Sequence, residues 1–269
     1  MVATDKIFAG SIPEIYDRFL VPLIFAPYAT DLAAMVANAG PEKTLEVAAG
    51  TGVATRALAA RLPAHARLVA TDLNPPMLET AARRVHSSNV KFMQADAQEL
   101  PFDDAAFDLV VCQFGSMFFP DKVRGHSEAR RVLRHGGHYL LAIWDRIERN
   151  EISNAAQRAL IRCLPDNPPL FMREGPFGYA DPARIESDLH DAGFDTVEIQ
   201  TVELRSRSPS AGDAATALFY GTPMGVEVEE LEAGSGERVF QGVLEALRPF
   251  EGPNGLDAPM AAHIVTATK

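Results

Sequence analysis

Between residues 44 and 145, short apolar runs alternate with amphipathic segments, and this alternation constrains the fold more than any other feature of the chain. Residues 44–48, 67–72, 90–96, 107–114 and 138–145 read as strands. Residues 53–62, 75–84 and 121–134 read as helices. Pro75 and Pro76 are tolerated in a first turn, and Gly136-Gly137 is expected to cap the end of the third helix. The run FDLVVCQF (107–114) is apolar almost throughout, as a parallel strand covered on both faces must be. The pattern predicts an α/β fold: a doubly wound, mostly parallel seven-stranded sheet with helices on both faces and right-handed crossovers. A sheet of this kind takes its ligands at the carboxyl ends of its strands.

After residue 145 the pattern loosens. Helices are expected over 151–164 and 183–193, with a Pro- and Gly-rich ordered loop at 165–182 between them. Residues 194–204 and 260–269 read as the last strands, able to pair antiparallel at one edge. Two helical segments, 211–220 and 235–248, lie in the insertion separating them.

Composition narrows the functional classes. The chain has 269 residues, 36 acidic against 25 basic, for a net charge of −11. Such a surface repels polyphosphate and argues against nucleic acid as a partner. There are two cysteines, Cys112 and Cys163, too far apart in sequence for a disulfide framework or a metal-ligand spacing. Cys112 sits in an apolar strand and reads as core. His126, His135 and His138 fit no metal pattern, so no metal is expected. The N-terminal residues lack the pattern of a signal peptide. No uninterrupted apolar stretch approaches the ~18 residues of a membrane span. A soluble cytoplasmic protein without integral membrane association, monomeric or homodimeric, is the expectation.

The strongest local signal is Glu46-Val47-Ala48-Ala49-Gly50-Thr51-Gly52, directly after the first strand and opening a helix. Small residues there allow a ligand to approach the backbone. Asp72 ends the second strand, where an acid can accept hydrogen bonds from both hydroxyls of a ribose. Asp96-Ala97 lies just after the third strand, where an acid can accept from an adenine amino group. A glycine turn with an acid after the next strand also describes a dinucleotide site. That fingerprint requires a third glycine at position 55, where this chain has Thr55. An adenosine ligand without a diphosphate is favoured.

The segments LEVAAGTG (45–52), ATDLNPPML (70–78), FMQADAQELPF (92–102), FDLVVCQFGSMFFPD (107–121) and EARRVLRHGGHYLLAIWD (128–145) together resemble the class I S-adenosylmethionine-dependent methyltransferases. The group that includes the ubiquinone/menaquinone C-methyltransferases is the nearest likeness. The resemblance implies a Rossmann-like methyltransferase fold with an antiparallel last strand and helical additions forming a lid. It divides the chain into an N-terminal helical cap (1–39), a donor-binding α/β core (40–206 and 257–269) and a helical insertion over the acceptor site (207–256). It implies S-adenosylmethionine as cofactor. Ala48, Gly50 and Gly52 would line the methionine part, Asp72 would hold the ribose, and Leu73 would pack on the adenine with Met77 beside it. Asp96 and Ala97 would face the adenine edge. Gln113 would contact the methionine end, and Tyr16 in the cap would lie nearest the ligand. Glu46 stands where the family more often has Asp, and Ala48 and Ala49 where it has Gly.

The implied reaction is transfer of a methyl group to a small, apolar or aromatic acceptor by direct in-line displacement. Such a transfer chiefly demands alignment of donor and acceptor, and the sequence names no catalytic base. Phe25, Phe171, Phe177 and Phe219, in the expected lid segments, suggest an apolar acceptor pocket. Two other readings are a non-catalytic donor-binding regulatory module on the same fold and an NAD(P)-binding oxidoreductase, against which Thr55 speaks.

Overall fold

The computed structural model describes residues 12–269; the first eleven residues of the expected N-terminal cap lie outside the described residues. The elements run α1 (Ile12–Ile15), a π-helical stretch (Tyr16–Phe25), α2 (Ala26–Ala39), β1 (Lys43–Val47), α3 (Val53–Ala59), β2 (Arg67–Asp72), α4 (Pro75–Arg84) and β3 (Val90–Gln94). Next come β4 (Phe107–Gln113), α5 (Lys122–Val132), β5 (Leu133–Trp144), α6 (Glu151–Cys163), α7 (Phe171–Glu174), α8 (Pro182–Asp191) and β6 (Thr196–Ser208). The chain ends with α9 (Ala211–Tyr220), α10 (Met224–Leu231), α11 (Gly236–Leu247), β7 (Glu251–Gly252) and β8 (Gly255–Thr268).

The chain divides into two compact units. A sheet unit comprises Tyr28–Trp144, Tyr179–Val202 and Ala262–Lys269; a helical unit comprises the N-terminal segment to Pro27, Asp145–Gly178 and Glu203–Ala261. The strand order is β3-β2-β1-β4-β5-β8-β6, with β7 paired to β8 off this path. The first five strands are parallel, in register Leu45 with Val69 and with Val110, and β8 runs antiparallel to β5. Seven strands thus form the path of the sheet, and the eighth is a two-residue hairpin arm. The order reverses between β1 and β4. Right-handed crossovers therefore put α3 and α4 on one face and α5 on the other.

β4 is buried along its length apart from half-buried Asp108, and Cys112 is fully enclosed within it. At the strand ends, Phe114 and Trp144 stack at 3.8 Å, and Tyr28 meets both edge-on while its hydroxyl donates to Val202 O at 3.0 Å. The helical unit is held by α11, which buries Val239, Val243 and Leu247 at four-residue spacing and packs on α6 and α9. The π-helical stretch packs on α9. Pro22 lies inside this stretch and has no N–H to give an α-helical ladder. Glu227 accepts from the N–H groups of Leu170 and Phe171, fixing the start of α7.

Several boundaries differ from the sequence reading. Gly136-Gly137 does not cap α5: the helix ends at Val132, and both glycines lie within β5, where the β4–β5 register shifts between Phe107 and Leu109. Gly136, at φ 72°, supplies the left-handed residue this irregularity needs. β8 begins at Gly255 rather than 260, β6 reaches Ser208, the loop at 165–182 contains α7, and the 207–256 insertion contains a third helix, α10. The run Ile12–Ala39 is long and apolar enough, by length and composition alone, to cross a membrane, a property of the whole helical run rather than of any uninterrupted apolar stretch. Half of its most apolar window is buried inside the protein.

The loop between β3 and β4 is locked by Arg131 on α5. Its guanidinium donates to Leu100 O, Phe102 O, Asp104 and both oxygens of Glu128, while Glu128 also accepts from Leu100 N–H at 2.8 Å. Hydrogen bonding to Arg131 holds the Glu128 carboxyl below its ordinary value of 4.5. Its contribution to stability is therefore full above that value and is lost as pH falls below it. Arg131→Met is expected to cost about 2–3 kcal/mol in urea unfolding near neutral pH, because it strands a buried carboxylate. The cost should shrink as the pH falls below 4.

Candidate functional site

The strand order reverses between β1 and β4, and sheets of this kind take their ligands at the carboxyl ends of the strands at such a point. After β1 the chain turns through Ala48, Gly50 and Gly52, at φ 57°, 56° and 83°. For Ala48 this left-handed backbone costs on the order of 1–2 kcal/mol. It is held by the Ala49 N–H on Thr71 O and the Gly52 N–H on Ala49 O, both 2.9 Å. The residue just after β4, Phe114, is also left-handed, at φ 54°. A Cβ on the next residue, Gly115, would overlap that of Ala48. The two loops abut so closely that only small side chains fit between them.

Asp72, the last residue of β2, joins the loop after β1 to the head of α4. Its Oδ2 accepts from Gly50 N–H and its Oδ1 from Asn74 N–H, both at 2.8 Å. Burial raises its pKa, and the N–H groups of Asn74, Gly50 and Leu73 oppose that rise. Each carboxylate oxygen keeps further lone-pair capacity for a ligand hydroxyl. Leu73 is exposed beside it, and Met77 is buried on α4. After β3, Asp96 Oδ1 accepts from Gln98 N–H at 2.8 Å, and Ala97 is half-buried. Gln113 is buried at the end of β4, opposite Ala142. Ala48, Gly50, Gly52, Asp72, Leu73, Met77, Asp96, Ala97 and Gln113 thus all belong to the sheet unit, at or just beyond the ends of adjacent strands or, for Met77, in the first turn of α4. Tyr16 belongs to the helical unit, half-buried and stacked on Phe25 at 5.2 Å.

Below the glycine loop lies Glu46, 1% exposed on β1, with Oε2 lacking a hydrogen-bond partner among the described residues. Burial pushes its pKa up to about 8; neighbouring Thr55 lowers it, and the Asp72 charge adds to the rise. Buried oxygen atoms of Thr51 and Ser116 and both amide atoms of Asn74 also lack partners among the described residues. Natural interiors rarely leave so many polar atoms unpaired in one place. A polar, multiply hydrogen-bonding ligand with hydroxyl, amine and carboxylate groups suits this donor set, so the residues present fit S-adenosylmethionine. Asp72 with the 48–52 loop is the part that would hold it.

The sequence pattern places Glu46 and Thr51 inside the 46–52 motif without giving either a role, and does not single out Thr55 or Asn74 as site residues. A buried acid inside an otherwise apolar strand is the available signal for Glu46. Phe25 and Phe219, expected in a lid, are buried in the helical unit, whereas Phe171 and Phe177 are half-buried. Phe219, Tyr220 and Phe240 form an aromatic group with centroids 4.9–5.8 Å apart, and Tyr220 is exposed. Among the described residues no three His, Cys, Asp or Glu side chains gather as a ligand set for a metal. His126 is buried against Tyr139 and Tyr179.

Comparison with known proteins agrees with this architecture. A methyltransferase domain family matches residues 45–141. A demethylmenaquinone methyltransferase of Clavibacter sepedonicus is 33% identical over 173 residues, 61% of this chain and 69% of the relative. A ubiquinone/menaquinone biosynthesis C-methyltransferase of Idiomarina loihiensis is 37% identical over 103 residues, but these span only 37% of this chain and 41% of the relative. Among solved structures, the YcgJ protein of Bacillus subtilis superposes with a TM-score of 0.60 at 18% identity, covering 90% of this chain and 98% of that one. A SAM-dependent methyltransferase of Thermotoga maritima superposes with a TM-score of 0.56 at 17% identity, covering 95% of each chain. At these identities the structural likeness speaks for the fold. The chain belongs to the class I S-adenosylmethionine-dependent methyltransferases, in the group that includes the ubiquinone/menaquinone C-methyltransferases, and is an enzyme of that class.

Glu46 also predicts a pH dependence of folding. Its carboxyl ionises near its ordinary value of 4.5 when unfolded and near 8 when folded. Its contribution to stability is therefore full below 4.5 and is lost as pH rises through 8. Glu46→Gln should match the wild type near pH 4 and be about 1–3 kcal/mol more stable near pH 8 in urea unfolding.

Proposed function

We propose that this enzyme transfers the methyl group of S-adenosylmethionine to a small aromatic, quinone-like acceptor by direct in-line displacement. The observation that carries the donor assignment is the Asp72 carboxylate, tethered by Gly50 and Asn74 N–H groups at the lip of the 48–52 loop. Bound there, the donor supplies an already activated sulfonium methyl group. The chain supplies placement: Asp72 accepts the ribose hydroxyls, Leu73 and Met77 pack against the adenine, and Asp96 with Ala97 meets its edge. Ala48, Gly50, Gly52 and Gln113 border the methionine end. Fixing the donor on a loop pinned at both ends lowers the entropic cost of reaching an in-line geometry.

The acceptor class rests on two supports. Relatives matching 61% and 37% of this chain are named as methyltransferases of demethylmenaquinone or of ubiquinone/menaquinone biosynthesis. The helical unit carries the Phe219–Tyr220–Phe240 group and the stacked Tyr16–Phe25 pair, which suit an aromatic partner. We assign acceptor recognition to the helical additions, 1–39 and 207–256, and assign Tyr16 a part in donor binding. The chemistry asks no acid–base residue of the protein unless the acceptor must first lose a proton.

Calorimetric titration with S-adenosylhomocysteine tests the donor site. Wild type should bind, and Asp72→Ala should lose about 2–3 kcal/mol, roughly 30- to 150-fold in affinity. Equal binding by the two proteins would refute the role given to Asp72. Turnover of aromatic quinols, followed by mass spectrometry, tests the acceptor class; turnover confined to non-aromatic amines or thiols would refute it.

A further inference from the structure

Glu46 is the buried acid at the strand ends that the proposed chemistry does not use. It sits on β1 beneath the glycine loop, 1% exposed, with Oε2 unpartnered among the described residues. The groups felt from neighbouring elements are Thr55 on α3, Asp72 at the end of β2 and Cys112 on β4; none carries positive charge. An ionised carboxylate there has no counter-charge among these neighbours and stands beside another acid. A carboxylic acid in the same place is neutral, at the cost of one unmade hydrogen bond.

We propose that Glu46 carries a proton in the ligand-free enzyme and releases it when the cationic donor is seated, so that this residue distinguishes donor from product by charge. The inference rests on the assignment of the donor to the 48–52 loop and Asp72. S-adenosylmethionine bears one more positive charge than S-adenosylhomocysteine. Its arrival supplies the cation that the Glu46–Asp72 neighbourhood lacks, and the Glu46 proton passes to solvent. When the methyl group leaves, the sulfonium becomes a neutral thioether, and Glu46 takes a proton back from solvent. Charge balances at each step, and no further reactant is required. The carboxyl's pKa of about 8 in the ligand-free chain agrees with a neutral resting form near neutral pH. Glu46 is thus a specificity-determining residue that acts through charge, and its protonated resting form lowers affinity for neither ligand by repulsion.

The test is calorimetry of S-adenosylmethionine binding to the full chain in phosphate and in Tris, buffers of very different ionisation heats. Near pH 7 the difference in heat should report release of close to one proton, and near pH 9.5, where Glu46 is already ionised, close to none. S-adenosylhomocysteine should release distinctly less. The donor's own amino group would take up a proton on binding, the opposite sign. Glu46→Gln should abolish the release and lower the preference for donor over product by about tenfold. Donor binding with buffer-independent heat near pH 7, or release that persists in Glu46→Gln, would overturn the proposal while leaving the donor site standing. Failure of wild type to bind either ligand would instead sink the donor assignment itself. If Glu46→Gln does not fold, the wild-type pH series decides alone.

Discussion

The carboxylate of Asp72 is the junction on which the site depends. One oxygen takes the N–H of Gly50 from the loop after β1, and the other takes the N–H of Asn74 at the head of α4. The Asp72 backbone carbonyl, meanwhile, accepts the Ala95 N–H beyond β3. A single residue therefore ties together the segments that leave three adjacent strands. Charge-assisted bonds of this kind are stronger than neutral ones, and they hold Ala48 and Gly50 in a backbone that a free loop would abandon. The same oxygens retain the lone pairs a diol needs, so the group that organises the loop is also the group assigned to recognise the ligand.

This arrangement concentrates electrostatic cost at the strand ends. Asp72 and Glu46 are both removed from water, and burial raises both pKa values. For Asp72 the N–H groups of Asn74, Gly50 and Leu73 oppose that rise. For Glu46 the offset is smaller and a proton takes its place. Two neighbouring acids thus stand in different hydrogen-bonding environments. The oxygens of Thr51 and Ser116 around them, without hydrogen-bond partners among the described residues, mark a site built for something polar.

The division of the chain into two units is one of packing, and the proposed division of labour between donor and acceptor follows it. The methyltransferase family match, residues 45–141, falls wholly in the sheet unit. Acceptors differ, and the helical unit, with its π-helical stretch, its aromatic group and its α6–α9–α11 packing, is where this chain departs from a bare sheet.

Much of this was legible in the sequence because it depends on local periodicity and on position after a strand. The alternation of apolar and amphipathic runs determined a doubly wound sheet, and counting residues placed Ala48, Gly50, Gly52, Asp72, Asp96 and Gln113 at strand ends. Features that depend on packing over long range were not legible. Gly136-Gly137 looks like a helix cap in isolation, and only the pairing of β5 with β4 shows it as a strand irregularity. α10 lacks strong local signals and takes shape by packing against α9 and α11. Glu46 reads as one acid in a motif, and only its enclosure among Thr55, Asp72 and Cys112 makes it a proton carrier, because desolvation is a property of the surroundings rather than of the residue. Sequence by itself determined which residues stand at the carboxyl ends of the strands; tertiary structure alone decided how dry each of them is, and dryness sets their charge.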